Sequence, residues 1–208
     1  MKIFQYTLGQ MQANCYFLVN GDECVLIDPA DSADFLLEKI ITQNLKLVGM
    51  IATHGHFDHI MAVGEIQLSY PLLPLYLHPN DDFLAKRVNQ TAKYFLGFDP
   101  GVVQPHLYNP LKAGKLSISS FTFDVIETPG HSPGSCCIVS EDEKVIFSGD
   151  TIFKQAVGRY DFSYSDKKDL KKSVEKIMSY GDEYELFSGH GESTLIQDER
   201  MMNWNKVL

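Results

Sequence analysis

No stretch of this 208-residue chain approaches the roughly 20 consecutive apolar residues that a membrane-crossing helix needs, so a membrane is not an expected partner. The amino terminus, Met1-Lys2-Ile3-Phe4-Gln5-Tyr6-Thr7, turns polar too early to supply the apolar core of a signal peptide, which predicts a cytoplasmic protein. Positive charge is short: 18 Lys and Arg stand against 27 Asp and Glu, a formal net charge of -9. A surface that grips nucleic acid neutralises phosphates with Lys and Arg, so nucleic acid is not expected either. Cysteine is sparse, at 15, 24, 136 and 137, with no Cys-x-x-Cys pair and one adjacent pair that cannot bridge in ordinary geometry. These read as buried reduced thiols. Internal repeats and low-complexity tracts are missing too, so nothing marks a linker, and residues 1–208 are expected to form one domain.

What is present is an alternation of strand and helix patterns. Tyr16–Val19 and Val25–Ile27 read as a hairpin around Asn20-Gly21-Asp22. Ser32 reads as the cap of a helix that places Phe35, Leu36, Ile40 and Ile41 on one face and ends near Asn44. A buried strand is predicted over Leu47–Ala52 and a helix over Ile60–Leu68, with a short strand at Leu75-Tyr76-Leu77. A second helical pattern covers Asn80–Phe95, with Asn80 as cap and two acids in its first turn. Residues Gly97–Gly114, with prolines at 100, 105 and 110, read as an irregular loop. Strands return at Lys115–Ile118, Phe121–Ile126, Cys136–Ser140 and Val145–Phe147. A helix over Asp166–Ser179, a strand at Glu185–Phe187 and a helix from Thr194 onward close the chain. Hairpins mixed with helices that cover sheet faces predict a layered α/β architecture.

The chemistry concentrates at strand ends. Three histidines and an aspartate fall within six residues in His54-Gly55-His56-Phe57-Asp58-His59, a run placed between a strand and a helix, where a loop lets side chains converge. His131 follows Thr128-Pro129-Gly130, Asp150 follows Ser148-Gly149, and His190 lies between Gly189 and Gly191. Neutral imidazoles and carboxylates are the natural ligands of zinc and of divalent iron or manganese, and the flanking glycines would let backbone approach a metal. So many titratable groups brought together without a metal would be left unpaired. His78 and His106 stand apart and are read as non-ligands.

Thr53-His54-Gly55-His56-Phe57-Asp58-His59 resembles the signature of metallo-β-lactamase-fold hydrolases. The likeness continues through Thr128–Ser135, Ser148–Phe153, Gly158-Arg159-Tyr160-Asp161 and Ser188–Gly191, in the order seen in glyoxalase II-like proteins. The resemblance implies a four-layer αβ/βα sandwich. One divalent metal would take His54, His56 and His131, the other Asp58, His59 and His190, with Asp150 bridging; zinc is the first choice, iron and manganese the alternatives. It also implies that Asp28 supports the ligand loop from behind, a simple turn-forming aspartate being the equal alternative. Arg159 and Asp161 match a motif beside the site, where a structural ion pair is the expected role.

Such a site would hold a hydroxide at neutral pH, with Asp58 and Asp150 positioning the metals that carry it. A thiolate leaves without a strong acid, so the resemblance implies a thioesterase acting on an S-(2-hydroxyacyl) thiol conjugate, a small-molecule substrate. Only Glu192–Leu208 follow the last ligand, so no counterpart of the helical glutathione-binding domain of full-length glyoxalase II is expected and the thiol carrier is open. Tyr94, Phe95, Phe98 and Tyr108 are candidates for the acyl pocket. A persulfide dioxygenase of the same superfamily, with one iron, is the main rival; a non-catalytic metal-binding protein is another class. Antibiotic hydrolysis is disfavoured, because the commonest zinc β-lactamases carry cysteine where Asp150 stands. A flavodiiron protein would carry glutamate where His56 stands, together with a flavin domain.

Overall fold

The computed structural model describes residues 1–202 and 204. Its first sheet contains β1 (Lys2–Leu8), β2 (Ala13–Asn20), β3 (Glu23–Ile27), β4 (Lys46–Ile51), β5 (Leu75–Leu77) and β6 (Tyr108–Pro110), side by side in that order. The first three pair antiparallel, and β3 to β6 pair parallel. The second sheet contains β7 (Gly114–Ile118), β8 (Phe121–Glu127), β9 (Cys136–Ser140) and β10 (Val145–Gly149), a separate hairpin of β11 (Ile152–Phe153) and β12 (Ala156–Val157) follows, and β13 (Glu185–Ser188) and β14 (Thr194–Leu195) complete the sheet in the order β14-β13-β10-β9-β8-β7. The helices are α1 (Ala33–Thr42), α2 (Phe57–Ile60), α3 (Val63–Ser69), α4 (Asp82–Ala85), α5 (Val88–Leu96), α6 (Lys167–Ile177) and α7 (Ile196–Arg200).

Strand alternation sorts the core into three seams. In β2, Tyr16 and Leu18 join Ile27, Ile51, Phe123, Ile138 and Phe147 in the seam shared by both sheets. Their neighbours Cys15 and Phe17 join Leu36, Ile40, Val63 and Ile66 from α1 and α3. On the second sheet Ile138 faces inward, while Cys137 and Val139 meet Val174 and Ile177 of α6. A strand buried on both faces reads as a continuous apolar run, as β2, β9 and β10 do. The result is the αβ/βα sandwich that the resemblance implies. All four cysteines are buried and free, and burial pushes the Cys24 and Cys137 thiols up to about 12, so thiolate is scarce. Among the described residues no helix is long and apolar enough to cross a membrane.

Several local expectations fail for physical reasons. Ser32 makes no cap bond; it sits in the left-handed region at φ 56, and Ile41 is 72% exposed, one residue beyond the buried face. The Asn80–Phe95 pattern is broken: a 3-10 turn at Pro79–Asp81 precedes α4, and α5 begins only at Val88. Its capping side chain is His78, whose Nδ1 accepts from the Asn80 N–H at 3.2 Å. Residues 97–114 are not wholly irregular, because Tyr108–Pro110 pairs with β5 at the edge of the first sheet, where a proline removes no ladder bond. Strand β1, unread in the sequence, is half-exposed and shows little alternation. At the other end, Thr194 and Leu195 form a strand before the helix starts at Ile196.

Candidate metal centre

Asp28, His54, His131, Asp150 and His190 all follow the carboxyl ends of strands: β3, β4, β8, β10 and β13. Strands β3 and β4 are parallel, and so are β10 and β13; β8 runs with β10 because each is antiparallel to β9. The sheets therefore deliver these loops to one edge. The His run is not wholly a loop, since Phe57–Ile60 forms a single helical turn carrying Asp58 and His59.

Three donor groups each gather within 4.8 Å: His54 with His56 and His131; Asp58 with His59 and His190; and Asp28 with His54 and His59. The third group lies behind the rings. Asp28 Oδ1 accepts the Thr53 N–H at 2.7 Å, and Oδ2 accepts the Thr53 hydroxyl at 2.7 Å and His59 Nδ1–H at 3.0 Å. Its oxygens are thus committed to orienting residues of the loop that carries His54 to His59. Asp150 links the first two groups: Oδ2 lies 3.5 Å from His131 Nε2 and 3.7 Å from His190 Nε2, and Oδ1 lies 3.4 Å from His59 Nε2.

Proton accounting decides what the centre can hold. Thr53 gives its hydroxyl proton to Asp28, so it accepts from His54 Nδ1–H at 3.1 Å. His131 Nδ1–H donates to the Arg159 carbonyl at 2.8 Å, and His190 Nδ1–H to the Gln12 carbonyl at 3.2 Å. The Nε2 lone pairs of His54, His59, His131 and His190 therefore all point inward. His56 is turned the other way, with Nε2 against the Tyr164 hydroxyl at 2.7 Å and Nδ1 facing both His54 Nε2 and His131 Nε2 at 2.9 Å. One proton cannot serve both contacts. His59 Nε2 and Asp150 Oδ1 are buried with no hydrogen-bond partner at all. Converging lone pairs and orphaned buried acceptors fit divalent cations.

The electrostatics agree for His54, His56 and Asp150. Burial, reinforced by His131, pulls the His56 ring down to about 3, and burial with His59 and His56 holds His54 well below the usual imidazole range. Both rings are neutral, as ligands must be. Burial opposes charge at Asp150, but His59 overcomes it and holds the carboxyl well below the usual range. His59 is displaced upward, its burial outweighed by Asp150, Asp58 and Asp28. Carboxylates thus collect on the side of His59 and His190, and bare imidazoles on the other.

Two features of the site were not legible in the sequence. Asp81 reads there as a helix-dipole acid but is fully buried, accepting the Gly55 N–H at 2.8 Å, the Gly134 N–H at 2.7 Å and the Ser132 hydroxyl at 2.6 Å. A Cβ at Gly134 would come within 2.7 Å of its carboxyl carbon. Of the glycines flanking the donors, Gly149 and Gly189 make room for side chains, Gly130 makes room for the Leu170 backbone and Gly191 faces open space; at Gly189 a Cβ would strike Asp150 Oδ1 and stand 2.7 Å from His59 Cε1. The second feature is the wall of the cavity above the donors, about 330 Å³ in volume. Phe95 lines it as expected, whereas Tyr94, Phe98 and Tyr108 do not; the Tyr108 hydroxyl instead donates to the Pro105 carbonyl. Phe57, Phe153, Phe162 and Tyr164 supply the other aromatic surface. Arg159 and Asp161 form a bidentate pair at 2.9 and 3.0 Å, largely exposed, and Arg159 also lines the cavity. His78 and His106 are outside all three donor groups.

Asp28→Asn should weaken divalent-metal affinity about 10- to 100-fold, read by chelator competition, because the carboxylate behind His59 is lost. Asn tolerates the left-handed conformation that Asp28 adopts at φ 51, so the fold should survive and isolate the charge. Unchanged affinity would show that Asp28 is only a turn residue.

A family model described as the metallo-beta-lactamase superfamily matches residues 8–190. The chain is 28% identical to the hydroxyacylglutathione hydrolase GloC of Haemophilus influenzae, across 98% of this chain and 97% of that protein. Its structure is similar to the crystal structure of the BLEG-1 B3 metallo-beta-lactamase, with a TM-score of 0.89 and 33% identity over 97% of this chain and 98% of the other. It is equally similar to a protein crystallised in a di-iron-bound form, with a TM-score of 0.88 and 35% identity over 96% and 98% of the two chains.

Proposed function

Because this chain belongs to the metallo-beta-lactamase superfamily, whose members are mostly metal-dependent hydrolases, we propose that it is a glyoxalase II-like thioesterase that cleaves an S-(2-hydroxyacyl) thiol conjugate. His54, His56 and His131 would hold one divalent cation and Asp58, His59 and His190 another, with Asp150 shared. Bound there, such cations lower the pKa of coordinated water from about 15.7 toward neutrality and polarise a carbonyl oxygen.

The observation that carries the thioester assignment is the lack of a free acid. Among the described residues lining the cavity, the carboxylates are Asp58 and Asp150, both in the donor set, and burial pushes the Tyr164 hydroxyl up to about 12. An amine leaving group needs a proton as it departs; a thiolate, from a thiol of pKa near 8.5, does not. The residues of the chain therefore bind, orient and screen. Tyr164 fixes the outer nitrogen of His56, the Arg159 carbonyl fixes His131, and the aromatic walls keep bulk water from the reacting carbonyl. The similarity to GloC supports the same reading.

The 33% identity to a B3 metallo-beta-lactamase supports a second reading, hydrolysis of a β-lactam amide. Both are tested together on protein purified without added metal. Elemental analysis should find about two metal ions per chain, and S-lactoyl thioesters should be cleaved at the same rate with and without oxygen. About one iron per chain with oxygen consumption would replace the thioesterase by the dioxygenase. Faster turnover of a chromogenic cephalosporin than of any thioester would replace it by the lactamase. Metal-loaded protein inactive on every member of the panel would point to a binding role. Iron deserves equal weight with zinc in that analysis, given the di-iron-bound relative.

A further inference from the structure

The cavity above the donors is walled by aromatic surface on three sides. Phe57 and Phe95 stack at 5.6 Å between centroids with planes 12° apart, and Phe162 and Tyr164 stack at 5.4 Å and 14°. Phe153 closes the side next to His190, its centroid 6.2 Å from that ring. At the mouth, Phe95 and Met11 are 42% and 38% exposed, large apolar side chains left facing solvent although they line a cavity. Apolar side chains exposed together at a cavity rim mark a surface that a ligand covers.

Charge is the missing partner. Among the described residues lining the cavity Arg159 is the one Lys or Arg, and its guanidinium is occupied twice: it bonds both oxygens of Asp161, and it lies 4.4 Å from the Phe162 centroid. Lys154, outside the lining, is held by Glu192 at 2.7 Å. Arg87 stands one helical turn before the lining residue Thr91 but does not itself line the cavity. A glutathione arm carries two carboxylates and an ammonium, and setting them against these walls would strip their water without supplying counter-charges.

Resting on the thioesterase reading, we infer that the thiol arm of the substrate is uncharged and apolar, of about the size of a benzyl group, rather than an anionic peptide. The small hydroxyacyl end, with its carbonyl and hydroxyl, faces the donors, and the arm lies between the stacked pairs. Phe162 and Phe95 set this specificity. Phe162, held between Tyr164 and the Arg159 guanidinium, meets the arm with the part of its ring that lines the cavity, and Phe95 folds over from α5.

Two paired measurements test the inference. The first is calorimetric binding, to metal-loaded protein, of non-hydrolysable thioethers that share one 2-hydroxyketone end and carry either a benzyl or a glutathionyl arm. The benzyl compound should bind at least about tenfold more tightly, and Phe162→Ala and Phe95→Ala should each reduce that ratio by about threefold or more, the range aromatic pairs support. Equal or tighter binding of the glutathionyl compound overturns the inference, as does a benzyl preference that neither variant changes. Phe95 is partly exposed, so its variant is expected to fold even if Phe162→Ala does not. The second measurement is hydrolysis of the matching S-benzyl and S-glutathionyl lactoyl thioesters. A preference of about tenfold in kcat/KM, residing in KM, supports the inference. A benzyl preference in binding with neither ester hydrolysed supports the cavity assignment and refutes the thioesterase, so the two failures are separable.

Discussion

Asp150→Ala is expected to lower thioester hydrolysis roughly a thousandfold and to reduce bound metal from about two ions per chain to one or fewer. Among the described residues Asp150 carries the one carboxylate whose oxygens lie within 4 Å of imidazoles from both donor groups, His131 on one side and His59 and His190 on the other. Its Oδ1 has no other partner. Removing it leaves the three imidazoles of the first group with no carboxylate among them, and leaves Asp58 as the carboxylate of the second, 3.4 Å from His190 and 3.9 Å from His59. Asp150→Asn keeps the shape and one acceptor oxygen, so it should retain more metal than alanine while losing most activity. Elemental analysis and kcat/KM on the same preparations check the pair. An alanine variant with full metal content and less than a tenfold loss of rate would show that Asp150 is not shared.

Asp81→Ala should produce the largest loss of stability outside the donor set, about 3 kcal/mol or more, because three donors in a fully buried position lose their acceptor at once. For a chain of this size that corresponds to a fall in Tm on the order of 10 °C. The consequence extends to the centre. Gly55 lies between His54 and His56, while Ser132 and Gly134 follow His131, so Asp81 joins the two loops that carry the first donor group. Asp81→Asn retains acceptor oxygen for part of this set and should fall between the two. Denaturant unfolding of metal-free protein separates this effect from metal loss; a change below about 1 kcal/mol would mean the loops hold together without it.

The donor cluster could be read from the sequence because metal chemistry admits few residue types and because His54, His56, Asp58 and His59 lie next to one another. Asp28 was approachable through the same likeness, with a turn as its alternative. Asp81 offered no such signal. Its partners are backbone N–H groups 26 and 53 residues away and a serine 51 residues away, and an acid near a helix start has a sufficient local explanation. The layered architecture followed from alternation, since the seams depend on parity along strands such as Tyr16, Phe17 and Leu18. Local boundaries failed where tertiary contacts override propensity, as at Ser32 and at the break between Ala85 and Val88. Aromatic positions divided for the same reason: Phe95 and Tyr94 are adjacent on one helix, and only the side each faces decides which meets the cavity.

The chain order of the donors bears on how the protein is made. His54, His56 and His131 have all been synthesised once two thirds of the chain exists, but His190 has not, and its loop is tied to residue 13 by an isolated bridge and by the Asn14 amide, which donates to the Ser188 and Gly191 carbonyls. Contacts spanning more than 170 residues form after most loop-closure entropy has been lost. The imidazole-only group can therefore gather while the chain is still being extended, whereas the carboxylate-rich group is completed when β13 docks beside β10 and residues 188–191 meet residues 13 and 14.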